Sequence, residues 1–564
     1  PRGGYVGEGD TQALTVSALL IKRLVDDRPA IRFEEQTWSW DQHVHASADR
    51  AALLSSWRRE GPFHVGVLLD NVPEFSFLLG AAALNDAVVV GINPTRRGTE
   101  LARDITATHC QLIVTDEKYR PLLDGLTVGI GPDRMVTIDG PEWLAALATV
   151  GDSPVPVDRT VDESQLLMLI FTSGTSGEPK AVRVTHRKIA GPGMAMIERG
   201  INAEDVTYIS MPMFHSGCIM QAWSSSLAAG ATMVLRRRFS ASGFLPDVRR
   251  YGVTFFHYVG KPLAYILATP EQPDDADNTL RVAAGNEAAP LDIDRFATRF
   301  GCRVEDGFGS TEGGVYVVRT PDTPAGSIGV APPGVEILDL ATDEPVPPAR
   351  FDEQGRLLNP DEAIGELVNT GGSGAFEGYY DSDSANAERM RGGMYHSGDL
   401  AYRSEQGFVY FAGRTIDWLR VDGENFGAAP VERILARNPA VSQVAVYAVP
   451  DVDTGDQVMA ALKLHDGRSF DAAEFAAFLD AQSDLGTKWA PRYVRIARTL
   501  PSTQTNKVLK RVLGREGWEC ADPVWVRPAR SLEYRLLTDE SRAELRKAFA
   551  DHGREHLLAA PLSQ

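Results

Sequence analysis

The most constraining feature of this chain is a repeated alternation between short apolar runs and segments of helical length. Between residues 29 and 115, runs such as HVGVLLD (64–70) and AVVVGIN (87–93) alternate with helical patterns such as residues 41–57. This alternation predicts βαβ units and a largely parallel sheet. A second series of the same kind occupies residues 205–310. We therefore predict an α/β fold whose large N-terminal domain contains two βαβ-layered sheets.

The remainder of the chain predicts two further parts. Residues 321–365 are rich in Pro, Gly, Asp and Glu, which favours turns and short antiparallel strands. We assign them to a small β subdomain near 321–412. After residues 413–425 a new series of helical and strand patterns begins. The predicted boundaries are thus an N-terminal domain at 1–414 and an α+β C-terminal domain at 415–564.

Charge and composition exclude some classes of function. The 564 residues include 57 Lys and Arg against 76 Asp and Glu, a formal net charge of −19. A large nucleic-acid interface needs a basic face, so we expect no nucleic-acid partner. A single nucleotide needs only a local group of donors and cations, and it remains compatible with this charge.

The sequence predicts a cytoplasmic protein. Its four cysteines lie far apart and match no zinc-binding spacing, which indicates reduced thiols. The longest apolar stretch, residues 74–93, is interrupted by Asn85 and Asp86 and predicts a helix, a turn and a strand rather than a membrane span. No signal-peptide pattern is visible.

A loop rich in hydroxyl groups and glycine follows an apolar run at 166–171. Its backbone N–H groups can converge on an anion because glycine tolerates unusual dihedral angles, and a lysine adds positive charge. The spacing differs from the P-loop pattern GxxxxGK[ST], and a solvated turn is the alternative interpretation. The candidate phosphate-binding residues are Thr172, Ser173, Gly174, Thr175, Ser176, Gly177 and Lys180.

The segment GFGSTEG (307–313) carries complementary chemistry. It combines an aromatic ring for stacking, the hydroxyl of Thr311, and the carboxylate of Glu312, which suits a hard cation such as Mg²⁺. Further along, YHSGDL (395–400) places Asp399 in a predicted turn, where it could accept hydrogen bonds from ribose hydroxyls.

Two later segments supply cations. GRTIDWLRVDGEN (413–425) contains Arg414, and PSTQTNKVLK (501–510) contains Lys507. Each segment alone is compatible with a turn or a surface salt bridge. Their joint order along the chain is the informative observation.

In that order the segments resemble the superfamily of acyl-adenylating (ANL) enzymes, which includes acyl-CoA synthetases, luciferases and peptide-synthetase adenylation domains. The resemblance covers nearly the whole chain. Within it, GINPTRRGTEL (91–101), HYVGKPLAYIL (257–267), RVAAGNEA (281–288) and RVDGENFGAAPVE (420–432) are similar to fatty-acid transport proteins and very-long-chain acyl-CoA synthetases, particularly actinobacterial fatty acid-CoA ligases.

The resemblance implies a two-step reaction. A carboxylate attacks the α-phosphate of ATP to give an acyl-adenylate and pyrophosphate, and the thiol of coenzyme A then displaces AMP to give a thioester. It also implies Mg²⁺ as cofactor and a C-terminal domain that carries the catalytic lysine and rotates between the two half-reactions.

The resemblance also assigns the site. The phosphate loop, Thr172 to Gly177 with Lys180, would hold the β- and γ-phosphates, and Thr311 the α-phosphate. Glu312 would bind Mg²⁺, Lys507 would stabilise charge in the adenylation transition state, and His215, in SMPMFHSG (210–217), would gate the acyl pocket. A lone histidine is otherwise more often structural. The nucleotide site would comprise Gly285, Asn286, Glu287, Asp306, Gly307 and Phe308 at the adenine, with Asp399 and Arg414 at the ribose.

The sequence departs from the family pattern at a few positions. Lys261 and Pro262 replace acidic and apolar residues at the acyl-pocket entrance. Asn506 replaces the usual glycine before the lysine, and Asn tolerates positive φ better than most residues. Ile416 stands where the family commonly has Asp or Lys as the hinge pivot.

We predict an acyl-CoA synthetase acting on a fatty or fatty-like acid. Alternatives are an acyl-AMP ligase that delivers its acyl group to a carrier protein or an amine, and a non-catalytic lipid-binding or transport protein. The presence of Lys507, Glu312 and Asp399 argues against the last. Peripheral membrane contact and a homodimer are both compatible with the resemblance. The identity of the acid cannot be read from motifs.

Overall fold

The computed structural model describes most of the chain. The described residues are 14–172, 179–260, 262–288, 290–320, 322–324, 326–352, 357–414, 418–421, 424–452, 456–482, 485, 488–502, 508–528, 531–552 and 554–558. The predicted phosphate-loop residues Ser173, Gly174, Thr175, Ser176 and Gly177 lie outside them, as do Lys261, Ile416, Asn506 and Lys507.

Strands and helices both occur along the whole described chain, which confirms the predicted α/β class. The strands are β1 (Pro29–Phe33), β2 (Gln36–Ser39), β3 (His64–Leu68), β4 (Val88–Gly91), β5 (Cys110–Thr115), β6 (Met135–Thr137), β7 (Leu166–Thr172), β8 (Lys180–Thr185), β9 (Val206–Ile209), β10 (Thr232–Leu235), β11 (Phe255–Val259), β12 (Val282–Asn286), β13 (Arg303–Gly307), β14 (Gly329–Val330), β15 (Val335–Leu338), β16 (Gly365–Asn369), β17 (Tyr395–Arg403), β18 (Phe408–Arg414), β19 (Trp418–Val421), β20 (Glu424–Gly427), β21 (Val441–Pro450), β22 (Asp456–Leu464), β23 (Tyr493–Ile496), β24 (Val524–Val526) and β25 (Arg535–Leu536).

The helices are α1 (Val16–Ile21), α2 (Trp40–Trp57), α3 (Pro73–Asn85), α4 (Gly98–Ala107), α5 (Pro141–Val150), α6 (His186–Glu198), α7 (Ser224–Ala229), α8 (Ala241–Tyr251), α9 (Pro262–Leu267), α10 (Pro290–Phe300), α11 (Pro360–Ala363), α12 (Asp383–Arg389), α13 (Ala428–Leu435), α14 (Ala472–Asp480), α15 (Lys510–Glu516) and α16 (Asp539–Asp551). A π-helical segment, Cys218–Trp223, precedes α7. Among the helices in the described ranges, none has both the length and the apolar character that crossing a bilayer would require.

The chain divides into two compact units. The first unit comprises 1–174, 178–313 and 375–388, and the second comprises 175–177, 314–374 and 389–564. The predicted β subdomain near 321–412 therefore falls almost entirely in the second unit, together with the C-terminal segment. The predicted division into functional domains at 414 and 415 stays a prediction.

The first unit contains the two sheets that the alternating patterns predict. One is seven-stranded, in the order β13-β12-β11-β9-β10-β1-β2, and the other is six-stranded, in the order β6-β5-β3-β4-β7-β8. All neighbouring strands are parallel except the pairs β1–β2 and β7–β8. Strands β3 and β4 are buried along their whole length, as expected of parallel strands covered on both faces.

One strand pairing differs from the order of the two sequence series. Strand β1 comes from the first series, but it pairs in parallel with β10 of the second, with Ile31 opposite Met233. Strand β2 returns beside it and forms the edge of the seven-stranded sheet. Strands β1 and β2 thus belong to the seven-stranded sheet, although the strands that follow them, β3 to β8, form the six-stranded sheet.

The apolar stretch at 74–93 folds as predicted. Helix α3 ends at Asn85, and Asp86 adopts a left-handed conformation with φ of 59° before β4. Asn85 accepts a hydrogen bond from the backbone N–H of Ala87 (3.1 Å), which stabilises the turn. The polar residues that interrupt the apolar run therefore separate a buried helix from a buried strand.

The second unit is built on antiparallel sheets. Strands β14-β18-β17-β16-β15 form a five-stranded antiparallel sheet, as the composition of the predicted β subdomain indicates. Strands β21-β22-β23-β24-β25 form another five-stranded sheet, in which only β22 and β23 are parallel. Helix α16 is N-capped by Thr538, which accepts from Ser541 N (3.3 Å), and it packs Phe549 into the core of this unit.

The first unit buries histidines that are neutral in the folded state. His43 is completely buried on α2 and hydrogen-bonds Ser76 Oγ through Nε2 (2.8 Å). Burial lowers its pKa to about 3. Burial also lowers the pKa of His186 to about 4. Because the unfolded chain binds protons at these positions from about pH 6.5 downward, acid favours unfolding.

Substituting His43 with Gln should flatten the pH dependence of stability. The neutral His43 contributes stability that is fully present above pH 6.5 and is lost as the pH falls toward 3. Over that range the loss reaches about 5 kcal/mol for a shift of this size. Urea unfolding followed by tryptophan fluorescence at pH 4.5–7.5 should give a shallower slope for His43→Gln. The exposed His465→Gln should keep the wild-type slope, and an unchanged slope in His43→Gln would contradict the assignment.

Candidate active site

The site in the first unit is organised by the carboxyl ends of three parallel strands. Strands β11, β12 and β13 end in register, with Val259 opposite Asn286 and Asn286 opposite Gly307. In open α/β sheets, ligands bind beyond this edge. The predicted adenine residues Gly285, Asn286, Asp306 and Gly307 lie at these strand ends, so the fold brings them together as predicted.

Local constraints shape the predicted adenine segment. A side chain at Gly285 would overlap the carbonyl oxygen of Tyr258, so glycine is required at this approach of two strands. Asp306 Oδ2 accepts hydrogen bonds from Tyr258 Oη (2.9 Å) and from Ala288 N (3.0 Å). Glu287 adopts a φ of 68°, which is uncommon for a residue with a Cβ and is concentrated at functional sites. Phe308 follows directly after β13.

Glu312 is the best-defined side chain of the site. Its side chain is buried in a turn beyond β13. Thr172 Oγ1 and Tyr379 Oη both donate to Glu312 Oε1, at 3.1 and 3.0 Å. Since both side-chain hydrogen bonds found among the described residues end on Oε1, the orientation leaves Oε2 as the oxygen for a cation.

The donor set fits Mg²⁺ bound together with phosphates. No group of three or more His, Cys, Asp or Glu side chains within the described residues could form a metal cage. Mg²⁺ commonly binds through one or two carboxylates, substrate phosphates and waters, so a single oriented carboxylate is an appropriate protein ligand. The assignment of Glu312 to Mg²⁺ stays a prediction that this donor set is compatible with.

Thr311 is linked to the segment that carries the predicted acyl gate. Its Oγ1 lies 2.6 Å from Ser216 Oγ. Next to Ser216, His215 accepts a hydrogen bond from Gly217 N at Nδ1 (3.2 Å). The predicted phosphate-binding hydroxyl and the predicted gate are thus neighbours in the first unit.

Asn71 hydrogen-bonds the backbone of the segment 210–217, which carries the predicted gate residue His215. It is buried beyond β3, donates to Met211 O (2.7 Å) and accepts from Met213 N (2.8 Å). These two hydrogen bonds satisfy the backbone of a segment without regular structure. Asn71 therefore limits the conformations available to His215.

The residues flanking the predicted phosphate loop lie opposite each other. Thr172 ends β7, Lys180 begins β8, and the two residues are paired in the antiparallel ladder. The register places both residues at the same end of the hairpin. Of the predicted loop residues, these two are within the described chain.

Three residues near Glu312 and Thr311 were missed by the sequence analysis. They are Tyr379, Ser216 and Lys188, whose Nζ donates to the backbone carbonyl of Glu312 (2.9 Å). Burial lowers the pKa of Lys188 to about 8, while Glu377 and Glu312 act in the opposite direction. Lys188 lies eight residues after Lys180, and no sequence motif signals its contact with residue 312.

The predicted ribose residues lie in the second unit, and here one expectation needs correction. Asp399 does not follow a short strand in a turn; it lies inside the nine-residue β17, opposite Arg414 of β18. The glycine that suggested a turn, Gly398, has a φ of 73° within the strand. Its backbone N–H donates to Glu366 Oε1 (2.7 Å), which holds the distorted strand in the sheet.

The buried carboxylate of Glu366 is the centre of a small network of hydrogen bonds. Its Oε2 lies 3.0 Å from His396 Nδ1 and 3.2 Å from Arg391 Nη2. Asp399 is itself buried, and its backbone N–H donates to Ser397 Oγ (3.0 Å). The network fixes the backbone on both sides of Ser397 and so positions the Asp399 carboxylate.

Comparison with known proteins gives a consistent family. The family model "AMP-binding enzyme" matches residues 22–380, and "AMP-binding enzyme C-terminal domain" matches 430–507. A steroid-22-oyl-CoA synthetase of Rhodococcus jostii is 51% identical over 97% of this chain and 100% of its own length. The medium/long-chain-fatty-acid–CoA ligase FadD17 of Mycobacterium tuberculosis is 52% identical over 91% of this chain and 98% of its own.

More distant proteins agree with this assignment. The long-chain fatty acid transport protein 5 of Mus musculus is 30% identical over 83% of this chain and 71% of its own length. The crystal structure of ATP-bound MatB from Rhodopseudomonas palustris superposes with a TM-score of 0.77, covering 89% of this chain and 98% of that one at 22% identity. The structural match confirms the fold, and the sequence matches confirm the predicted branch.

Replacing Tyr379 with Phe should weaken magnesium-dependent ATP binding. The change removes one of the two hydroxyl donors that hold Glu312 Oε1. A hydrogen bond to a charged group contributes about 1.5–3 kcal/mol, so we expect a loss of at least tenfold in ATP affinity at fixed Mg²⁺. Isothermal titration calorimetry measures it.

Tyr380→Phe is the matched control. Tyr380 neighbours Tyr379 in sequence but packs against His64 and His109 instead. Its variant should bind ATP as the wild type does. Equal affinities in the wild type and Tyr379→Phe would refute the role of the Tyr379 hydroxyl.

Proposed function

The chain belongs to the AMP-binding enzyme family, and from that premise we propose how its residues divide the work of acyl activation. The protein is an ATP-dependent acyl-CoA synthetase, an AMP-forming acid–thiol ligase. ATP, Mg²⁺ and coenzyme A are its co-substrates and cofactor. A carboxylic acid is first converted to an acyl-adenylate and then to the thioester.

The observation that carries the proposed site is the orientation of Glu312 by Thr172 and Tyr379. We propose that Glu312 is the magnesium ligand of the protein. Bound Mg²⁺ neutralises phosphate charge and orients the phosphates for in-line attack. The residues around it hold the carboxylate in one orientation before the nucleotide arrives, which reduces the reorganisation needed during reaction.

The positions of Thr311, Lys180 and Thr172 suggest which phosphate each residue would contact. Thr311 would hydrogen-bond the α-phosphate, and its contact with Ser216 orients the hydroxyl. Lys180 and Thr172 would face the β- and γ-phosphates, with Ser173, Gly174, Thr175, Ser176 and Gly177 between them. Because adenylation is catalysed mainly by positioning and charge neutralisation, hydroxyls, N–H groups and cations suffice.

The family resemblance assigns the adenine and the ribose to two different sets of residues. Gly285, Asn286, Glu287, Asp306, Gly307 and Phe308 would bind the adenine, with Phe308 stacking on the ring. Asp399 and Arg414 would bind the ribose, since a carboxylate can accept hydrogen bonds from both hydroxyls. The burial of Asp399 and the network around Glu366 support this role.

We propose a steroid 22-oic acid as the substrate. The relative named for that acyl group aligns with 97% of this chain and with its own full length. A medium- or long-chain fatty acid is the second candidate, because the FadD17 relative is equally similar over 91% of the chain. His215 would lie at the acyl side of the site and position the carboxylate rather than transfer a proton.

The first experiment is a substrate panel. The protein is incubated with ATP, Mg²⁺ and coenzyme A together with a steroid 22-oic acid or with fatty acids of increasing length, and acyl-AMP and acyl-CoA are quantified by mass spectrometry. We expect the steroid acid to give the highest kcat/KM, by at least tenfold.

A parallel reaction without coenzyme A completes the panel. It should accumulate acyl-AMP, which the addition of coenzyme A then consumes. A higher kcat/KM for a fatty acid would reject the steroid proposal in favour of the second candidate. Acyl-AMP that persists after the addition would support transfer to a carrier protein or an amine, and no adenylate from any acid would support a binding protein.

Lys507 should act mainly in the first half-reaction. We expect Lys507→Ala to lower adenylation at least a hundredfold, because the ammonium would neutralise charge that develops on the α-phosphate and the carboxylate. Thioester formation from supplied acyl-AMP should change less than tenfold. Single-turnover assays of each half-reaction separate the two effects, and equal losses in both would rule out this assignment.

We also propose two further interactions, peripheral contact with a membrane and a homodimer. Membrane contact would appear as co-sedimentation with lipid vesicles, and a homodimer as a doubled mass in sedimentation equilibrium. A monomer that stays in the supernatant would exclude both.

A further inference from the structure

We infer that Lys188 is a positioning residue for magnesium-dependent ATP binding, acting through the backbone of Glu312. The inference rests on the proposed role of Glu312. It concerns a residue outside the family motifs that the sequence analysis identified.

Lys188 is a buried cation with a specific partner. It lies in the first turn of α6, where its backbone N–H is capped by Thr185 Oγ1 (3.4 Å). Its side chain is only 7% exposed, and Nζ donates to Glu312 O at 2.9 Å. Lysine is rarely buried to this extent without a charged or polar partner. The first turn of α6 therefore places the ammonium group of Lys188 at the backbone carbonyl oxygen of Glu312.

The carbonyl oxygen that accepts this hydrogen bond belongs to Glu312, the proposed magnesium ligand. Glu312 lies in a turn rather than in a strand or helix, so no ladder of hydrogen bonds holds its peptide group. The following Gly313 has a φ of 71°, and its N–H donates to Ser310 Oγ (3.2 Å). The contact from Lys188 thus fixes the main chain at Glu312, while Thr172 and Tyr379 fix the side chain.

A second carboxylate, that of Glu377 from the segment before α12, lies against the start of α6. Glu377 Oε1 accepts from Thr185 Oγ1 and from Arg187 Nε, both at 3.0 Å. Lys188 thus lies in the field of Glu377 and Glu312, and its positive charge is attracted to both carboxylates.

Stability alone does not account for a lysine at this position. Burying an ammonium group costs free energy, and an unbranched apolar side chain of similar size avoids that cost. A Met at 188 fills similar space but leaves the Glu312 carbonyl without its donor. A purely structural role predicts loss of stability on this change, whereas a positioning role predicts loss of ligand binding in a folded protein.

The test compares Lys188→Met, Lys188→Arg and the wild type by titration calorimetry with ATP, with and without Mg²⁺. We expect Lys188→Met to weaken ATP binding at least tenfold in the presence of Mg²⁺ and less than threefold in its absence. Lys188→Met should remain folded at the assay temperature and unfold cooperatively, although the unpaired carbonyl of Glu312 lowers its thermal midpoint. Lys188→Arg keeps a cationic donor and should restore the magnesium effect to within threefold.

Lys547→Met, at an exposed position on α16, is the control for loss of a lysine and should match the wild type. Equal magnesium-dependent affinities in Lys188→Met and the wild type would overturn the inference. If Lys188→Met does not fold, Lys188→Leu replaces it, and wild-type magnesium-dependent binding by that variant, whose side chain has no donor, would also overturn it.

The assay separates this inference from the proposed function. ATP binding is measured without any acid or coenzyme A, so it does not depend on the substrate or on turnover. A wild type that binds Mg²⁺ and ATP but activates no acid would refute the function, and the role of Lys188 would still be decided by the binding data.

Discussion

The buried carboxylate of Glu312 and the groups that hold it are the constraint on which the rest of the site depends. A carboxylate removed from water is unfavourable unless hydrogen bonds or a cation compensate for it. Here Thr172 and Tyr379 stabilise one oxygen, so the other can be offered to a cation without further rearrangement. These donors come from β7 and from the segment before α12, so the site requires both parts of the first unit to be folded.

Local sequence patterns predicted the elements better than their partners. Apolar runs separated by helical segments became parallel strands, and the break at Asn85 and Asp86 became a turn between α3 and β4. The assignment of β1 to the second sheet could not be predicted, because residues of such a strand are buried in either sheet. Its partner, β10, lies about two hundred residues later, and that pairing is decided by tertiary packing.

In the candidate site, too, residues in local motifs were predicted and contacts between distant segments were not. Glycines, hydroxyls and acids in compact motifs identified Glu312, Thr311 and the strand-end residues, because their chemistry is unusual for a turn. Tyr379 was not identified, since one tyrosine in a polar segment carries no signal until folding brings it to residue 312. Asp399 was assigned to a turn, but Glu366 accepts the Gly398 N–H and keeps the distorted segment within the sheet.

Small residues near the predicted acyl pocket can serve either close helix packing or substrate specificity, and the two roles are hard to separate. The run Ser224–Ser226 could leave room for a bulky substrate, but the structure uses it for packing. Ser224 Oγ donates to Ile189 O (2.5 Å), and α6 approaches so closely at Gly193 that a side chain there would overlap Ser224. A side chain at Gly217, by contrast, would contact His257, which is buried on β11 beneath the gate segment. Differences in acid preference between close relatives should therefore arise near Gly217 and His257 rather than along the serine run.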